Sequence, residues 1–202
     1  MTSNKGYILL SAGLLCIIAA LAVFCYNIAE SERAKAASES IVAELSGEIA
    51  YAAEHEAAEV FPSDNADRTM PKLTVDGSAY AGILTIPSLG LELPVCARLD
   101  MDAMQSAPCL YSGSLYRKDM VIGAHNYDTH FGRIGSLTPG DSVIFTDAEN
   151  HRCTYSVLSL ETLRPEQNSE LVTKAAGDDW ALTLFTCNYS GSARVVVRCG
   201  EA

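Results

Sequence analysis

A single uncharged, apolar run near the N-terminus constrains this chain more than any other feature. Between Gly6 and Ile28 no residue carries a charge, and Leu, Ile, Val and Ala predominate. About 20 apolar residues are enough for one helix to cross a bilayer. We therefore predict a transmembrane anchor over residues 6–28, after a short cytosolic N-terminus over residues 1–5.

The charges on either side of this run predict its orientation. Lys5 and the amino terminus precede it, whereas acidic and basic residues are mixed over residues 30–35. Because positive charge tends to stay in the cytosol, the rest of the chain is expected outside the cell, as a single-pass protein of the cell membrane. A cleaved signal peptide is disfavoured because its apolar core is usually shorter. A lipidated Cys25 is disfavoured because the preceding Phe24 is large.

The charge balance excludes one class of partner. The chain holds 25 Asp and Glu against 14 Lys and Arg, a net charge of -11. An acidic surface repels phosphate backbones, so no nucleic-acid partner is expected.

Residues 29–78 are expected to form a helical stalk and a linker. Their first part is rich in Ala and Glu, which favour helix. Ile41, Leu45 and Ile49 recur every four residues and form only a thin apolar stripe. We favour a stalk that lifts the next domain off the membrane, and keep open a helix that folds back on that domain or pairs with a partner. The last part contains Pro and Gly, as linkers do.

Residues 79–202 have the sequence pattern of an all-β domain. Short apolar runs alternate with turn residues, which indicates a barrel or sandwich. Short helices are plausible around residues 100–106 and 165–176. The predicted strands are 83–86, 91–96, 120–124, 142–146, 154–160, 182–186 and 195–197.

Cys187 is the candidate nucleophile, because it ends the apolar strand 182–186 directly before a loop. If this strand and the one beginning at Arg194 form an antiparallel hairpin, the two residues lie opposite each other. Their Cβ atoms would then be about 4.5–5.5 Å apart. Arg198 points to the same face, but roughly 13 Å further along. Arg194 can therefore stabilise a thiolate or an oxyanion, or be a solvated hairpin residue; a one-residue register slip would undo the pairing.

A cysteine nucleophile also needs a proton acceptor, usually histidine. His125 ends the buried-looking strand 120–124 and precedes an irregular loop, as Cys187 does. His130 lies in a polar loop and is the second choice. His55 falls in the stalk, and His151 falls in a turn between strands.

The remaining cysteines leave their pairing open. Seven cysteines are present, with no CxxC pair, so neither a zinc ribbon nor a thioredoxin-like motif is indicated. Two lie in the predicted membrane span, and the outer five allow at most two internal bridges. The outer five are Cys96, Cys109, Cys153, Cys187 and Cys199.

Three segments together resemble the sortase family. The run from Thr183 to Cys187 is similar to the sortase signature Thr-Leu-x-Thr-Cys at every fixed position. The segment 122–125 resembles the one that carries the sortase histidine, and 194–197 resembles the strand that carries the arginine. The order of the three, the N-terminal anchor and the opening strand 83–87 also match. The resemblance covers about residues 79–202.

The resemblance implies an eight-stranded sortase-type β-barrel with cysteine transpeptidase activity. Cys187 would attack a C-terminal sorting motif of the Leu-Pro-x-Thr-Gly kind on surface proteins. His125 would transfer protons, Arg194 would hold the substrate and the oxyanion, and Thr186 would line the substrate pocket. The acceptor would be an amine of a peptidoglycan precursor or a pilin lysine. Neither a metal nor an organic cofactor is implied.

Departures from the family pattern leave the sortase class open. The spacing from Cys187 to Arg194 is short, the segment from Leu160 to Leu182 has no room for a large extra helix, and no lid sequence of the pilin-polymerising kind is recognisable. Two alternatives also stay open. They are a cell-wall cysteine hydrolase of another fold, and a catalytically inert binding module on a membrane anchor.

Overall fold

The structure is a computed structural model that describes residues 4–55 and 67–202. It consists of one long helix followed by nine strands. Residues 1–3 and 56–66 lie outside the described residues, so the end of the predicted stalk and the start of the predicted linker are not described. The bounds are α1 Asn4–His55, β1 Leu73–Val75, β2 Ser78–Ile86, β3 Leu91–Cys96, β4 Cys109–Ser112, β5 Met120–Ala124, β6 Ser142–Asp147, β7 Arg152–Leu163, β8 Leu182–Cys187 and β9 Arg194–Glu201.

Eight strands close into a β-barrel, which confirms the predicted fold class. The strand order is β2-β3-β4-β5-β8-β9-β7-β6, and β6 pairs back onto β2. Most neighbours are antiparallel, but β3 and β4 are parallel, and so are β5 and β8. The short β1 adds a hairpin to the outer part of β2.

Alternating side chains fill the barrel, because successive residues of a strand point to opposite faces. On β6, Val143 and Phe145 are buried in the core while their neighbours are partly exposed. All five residues of β5 are buried, as its unbroken apolar run predicts. The predicted spans of β3 and β5 are confirmed, and β7 runs longer than predicted. The prediction missed β1 and β4, which are too short to show an alternating pattern.

The second half of α1 lies against the barrel, which differs from the favoured free stalk. Val42, Leu45 and Ile49 are buried in a cluster with residues of β1, β2, β3 and β4. Ala34 and Ser38, further toward the N-terminus, are also buried. The thin apolar stripe is therefore a packing face, which is the alternative that the spacing had left open.

The first half of α1 is long and apolar enough to span a membrane. The most apolar stretch of the helix has none of its residues buried against the rest of the protein. Its exposed side chains include Leu, Ile, Val and Phe throughout. This part of α1 is a candidate membrane span that leads without a break into the part that packs on the barrel.

Candidate active site

The three predicted catalytic residues lie at the same end of three neighbouring strands. β8 lies between β5 and β9 in the sheet. Cys187, the last residue of β8, is directly opposite Arg194, the first residue of β9. Ala124, the last residue of β5, pairs with Thr186, so His125 follows at the level of Cys187. Parallel pairing of β5 with β8 brings the two C-terminal ends together.

The thiol of Cys187 lies on the outer face of the barrel. Leu182 and Leu184 point into the core, so the alternation of β8 directs Phe185 and Cys187 outward. Cys187 is half-buried rather than enclosed. A thiol at the rim of a barrel is accessible to a peptide, whereas a thiol in the sealed interior would not be.

Arg194 is half-buried and turned toward the hairpin loop. Its Nη1 donates to the carbonyl of Ala193 at 3.4 Å and to that of Gly191 at 3.5 Å. These are long contacts to neutral carbonyls, which are weaker than a hydrogen bond to an anion. The guanidinium is therefore free to exchange them for a negatively charged group beside Cys187.

Arg198 has a structural environment and not a catalytic one. Its side chain is only 8% exposed, and its Nε donates to Glu161 at 2.7 Å. Nη1 donates to the hydroxyl of Thr183 at 2.8 Å, and the guanidinium lies 4.8 Å from the ring centroid of Trp180. The backbone carbonyls of Glu170 and Leu171, at the end of the 3₁₀ helix Pro165–Leu171, accept further hydrogen bonds. Arg198 thus ties β9 to the segment before β8.

His125 is partly buried at the entrance of the loop that follows β5. Burial lowers the pKa of its imidazole below the ordinary value of 6.5. Its ring packs against Tyr127, with 5.3 Å between ring centroids. A lowered pKa keeps His125 neutral at physiological pH, which is the form that accepts a proton.

His130, the second histidine considered, is enclosed by the protein. Its side chain is 0% exposed, and burial lowers its pKa to about 4. The centroid of its ring lies 5.6 Å from that of Tyr127. A side chain without access to a substrate does not suit proton transfer at the surface. The geometry thus favours His125.

Thr186 does not have the environment of a substrate contact. It is 3% exposed, and its hydroxyl donates to the carbonyl of Ala124 at 2.8 Å. The hydrogen bond joins the ends of β5 and β8 one residue before His125 and Cys187. The substrate-binding role of Thr186 stays a prediction, and this geometry favours a positioning role instead.

An aromatic pair covers the outer face just before the catalytic ends. The ring of Phe185 lies against Gly123, where a Cβ atom would come within 2.6 Å of the ring. Tyr111 meets Phe185 edge-on, with centroids 5.2 Å apart. The glycine inside an otherwise bulky strand was the available signal, since such a glycine often marks a close approach.

Sequence reasoning also missed that part of α1 lines a cleft next to His125. A cleft of about 870 Å³ lies beside His125, and residues 24–32 of α1 form one side of it. Residues 125–129 form the other side, and Gln105 and Tyr189 border it. Ser31 and Thr129 hydrogen-bond across the two sides at 3.1 Å. Contacts almost 100 residues apart leave no local pattern in the sequence.

Within the described residues, Asp147, Glu149 and His151 form a cluster of possible metal ligands on the β6–β7 turn. Asp147 is buried and accepts hydrogen bonds from the backbone amides of Glu149 and His151, at 2.9 and 2.8 Å. It also accepts one from the Tyr116 hydroxyl at 3.0 Å and lies 3.0 Å from His151 Nδ1. The hydrogen bonds of Asp147 therefore stabilise the turn, and we assign no metal site to this cluster.

Comparison with known proteins gives one family match and many related structures. The model of the sortase domain family matches residues 84–202, which is more than half of the chain. No curated protein matches the chain significantly.

Three solved structures illustrate the structural likeness. Sortase C1 from Streptococcus agalactiae is 23% identical with a TM-score of 0.55, covering 64% of this chain and 71% of that one. The sortase D5 transpeptidase of Clostridium perfringens is 13% identical with a TM-score of 0.60, covering 83% and 99%. Sortase C from Streptococcus pneumoniae is 20% identical with a TM-score of 0.54, covering 86% and 89%.

These identities are low, so the solved structures support the fold, whereas the family match covers the strands that carry the candidate site. A closed barrel preceded by a long helix agrees with both comparisons. The chain belongs to the sortase family of transpeptidases.

Proposed function

We propose that this chain is a membrane-anchored cysteine transpeptidase in which Cys187 is the nucleophile, His125 transfers protons and Arg194 stabilises the oxyanion. The observation that carries the proposal is the alignment of three strand ends. Cys187 and Arg194 are direct partners across β8 and β9, and His125 follows the residue paired with Thr186. A nucleophile, a base and a cation at one accessible edge can cleave an amide.

The first half of the reaction forms an acyl-enzyme. The thiol of Cys187 gives its proton to neutral His125 as its sulfur attacks the substrate carbonyl carbon. The carbonyl oxygen becomes an oxyanion, to which the Arg194 guanidinium donates hydrogen bonds. When the C–N bond breaks, His125 returns the proton to the leaving amine, and a thioester remains on Cys187.

The second half transfers the acyl group. A neutral acceptor amine attacks the thioester carbonyl, and His125 takes the proton that the new amide nitrogen loses. The C–S bond breaks, the sulfur leaves as a thiolate, and His125 reprotonates it. The adjacent ends of β5, β8 and β9 support a common location for the three side chains in both halves of the reaction.

The substrate class follows from family membership. We infer that the donor is a surface protein with a C-terminal sorting signal of the Leu-Pro-x-Thr-Gly kind. The acceptor is an amine of a peptidoglycan precursor or a pilin lysine. The sortase C of Streptococcus pneumoniae was described for its pilin substrate specificity, which supports the second acceptor class for related enzymes.

The apolar first half of α1 supports a location in the cell membrane. We infer that residues 6–28 anchor the protein in the cell membrane as a single span, with residues 1–5 in the cytosol and the barrel outside. The exposed apolar surface of this part of α1 supports the anchor. The charge asymmetry around it supports the orientation.

The test uses the full-length protein in detergent micelles or nanodiscs. A panel of quenched peptides carrying different sorting motifs is incubated with triglycine as the acceptor. We expect cleavage together with a peptide–triglycine product, and no turnover by Cys187→Ala. Cys153→Ala is the matched control, since Cys153 is also half-buried but lies away from the site.

Failure to cleave any motif while the Cys187 thiol is intact would overturn the proposal. Release of the free acid alone, with every amine tested, would instead identify a cysteine hydrolase. A Cys187 that does not react with a thiol probe would identify an inert binding module.

A further inference from the structure

Two cysteines outside the active site lie side by side on neighbouring strands. Cys96 ends β3, Cys109 begins β4, and they are direct partners across the parallel pair. Strand neighbours are about 4.7–4.9 Å apart, which falls in the range of about 4.4–6.8 Å between the Cα atoms of disulfide-bonded cysteines. Direct partners also project from the same face, so the two sulfurs face each other.

The two cysteines are buried neighbours in one cluster. The Cys109 Sγ lies near the carbonyls of Asp100 and Ala107, at 3.6 and 3.8 Å. Interaction between the two neighbouring thiols raises the pKa of Cys96 and lowers the pKa of Cys109. Both side chains lie under α1, in the cluster that contains Leu45 and Met104. The contact therefore exists without any rearrangement of the backbone.

The other outer cysteines have different locations. Cys199 is in the core of the barrel and Cys153 packs beside that core, whereas Cys187 is at the catalytic end of β8. Cys96 and Cys109 form the pair that the fold brings together among the described residues.

The pair also spans the least connected seam of the barrel. The register between β3 and β4 contains this one residue pair, supported by a hydrogen bond from the Cys96 amide to the Pro108 carbonyl at 2.8 Å. The other barrel seams hold at least three residue pairs each. A covalent link here would stabilise the seam where backbone hydrogen bonding is weakest.

We propose that Cys96 and Cys109 form a disulfide bond that closes the β3–β4 seam in the mature protein. The proposal rests on the extracellular location given above, because disulfides persist in oxidising compartments. It leaves Cys187 as a free thiol, as the proposed chemistry requires.

The bond forms by exchange with a disulfide donor while the chain folds, before α1 covers the pair. The Cys109 thiolate attacks one donor sulfur, the donor S–S bond breaks, and one donor thiolate leaves. The Cys96 sulfur, as it loses its proton, attacks Cys109 and displaces the second donor thiolate. Two protein thiols are oxidised and one donor disulfide is reduced to two thiols.

Peptide mapping of the full-length protein tests the bond directly. The protein is isolated without reductant from the membranes of cells that export it, alkylated, digested and analysed by mass spectrometry. We expect a linked peptide that joins Cys96 to Cys109 and is lighter than its two halves by two hydrogen atoms. Cys153, Cys187 and Cys199 should carry the alkyl group.

Variants and reductant give a second measurement. Cys96→Ser and Cys109→Ser should each leave the partner alkylated, whereas Cys153→Ser should leave the linked peptide in place. A phosphine reductant should lower the melting temperature of the wild type by roughly 5–10 °C and leave both Ser variants unchanged.

Recovery of Cys96 and Cys109 both alkylated, or either one linked to a different cysteine, would overturn the proposal. A wild-type melting temperature that is the same with and without the reductant would overturn it as well. Mapping needs no turnover, so a linked protein that fails to cleave sorting peptides would count against the proposed function and not against the disulfide.

Discussion

At the scale of single residues, the two arginines of β9 show how strongly the environment decides a role. Arg194 and Arg198 lie four residues apart and on the same face of the strand. Arg194 lies opposite Cys187 and, among the described residues, its hydrogen bonds are long contacts to loop carbonyls. Arg198 is buried, with a carboxylate, a hydroxyl and two carbonyls as partners. Their substitutions should therefore affect different properties.

We expect Arg194→Ala to lower kcat/KM for a sorting peptide by about 100- to 1000-fold, the usual effect of losing one oxyanion donor. Because Arg194 is half-exposed, the melting temperature should change little. Steady-state kinetics and thermal unfolding measure the two effects.

Arg198→Ala is the control for this prediction. It should lower the free energy of unfolding by about 2–4 kcal/mol, because it removes a buried guanidinium that hydrogen-bonds Thr183 and two backbone carbonyls. Activity per folded molecule should stay near the wild-type value. Equal losses of activity in two folded variants would contradict the assigned roles.

Thr186 allows a similar separation of positioning from substrate binding. Thr186→Val keeps the shape but leaves the buried Ala124 carbonyl without its donor, which costs about 1–3 kcal/mol. Small displacements of catalytic groups are costly, so we expect kcat to fall by about tenfold or more. KM for the sorting peptide should change little, and Thr186→Ser should restore kcat. A raised KM at constant kcat would instead indicate a direct substrate contact.

At the scale of elements, the packing of α1 on the barrel places a titratable side chain in an enclosed site. His130 is fully buried, and burial lowers its pKa to about 4. The charge of His125 lowers it further, while the nearby Ala34 backbone of α1 acts in the opposite direction. The folded protein therefore prefers neutral His130, whereas the unfolded chain binds a proton near pH 6.5.

This preference predicts a pH-dependent stability. Since the folded pKa lies below the unfolded one, the contribution of His130 is complete above about pH 6.5 and is lost as the pH falls toward 4. We expect a loss on the order of 2–3 kcal/mol over this window, measured by denaturant titration. His130→Gln cannot titrate there and should lose less. Parallel pH curves for the two proteins would contradict the prediction.

At the scale of the whole molecule, α1 joins the candidate membrane span to the barrel in one unbroken helix. Ile28 ends the predicted span, and Ala34 is already buried. Six helical residues rise about 9 Å, so the proposed anchoring of residues 6–28 would hold the barrel close to the bilayer surface. Residues 24–32 also line the cleft beside His125. The proposed site would then open near the level of the lipid headgroups.

Tyr189 provides a measurement of this placement. It borders the cleft and is 83% exposed. We expect the fluorescence added by Tyr189→Trp to be quenched in nanodiscs that contain brominated lipids. Tyr51→Trp is the control, because it lies 23 helical residues beyond Ile28, which corresponds to about 35 Å along α1. The native Trp180 is buried and gives a constant background. Equal quenching at the two positions would contradict the placement.

Local sequence was sufficient for the candidate membrane span, most strands and the choice of the candidate catalytic residues. The apolar run from Gly6, the strand ends at His125 and Cys187, and the hairpin register to Arg194 depend on neighbours a few residues apart. Chain geometry converts such patterns directly into structure. The same holds for β3 and β5, whose bounds follow from short apolar runs between turns.

Tertiary structure alone decided the features that depend on distant contacts. The docking of α1, the burial of His130, the inward hydroxyl of Thr186 and the pairing of Cys96 with Cys109 each need groups that lie far apart in the sequence or on separate strands. The apolar stripe of α1 is compatible with a free stalk or a packed helix, and only the surface opposite it selects between them. The spacing of apolar residues shows which face of a helix or strand a residue occupies. What packs against that face depends on how the closed barrel brings distant strands together.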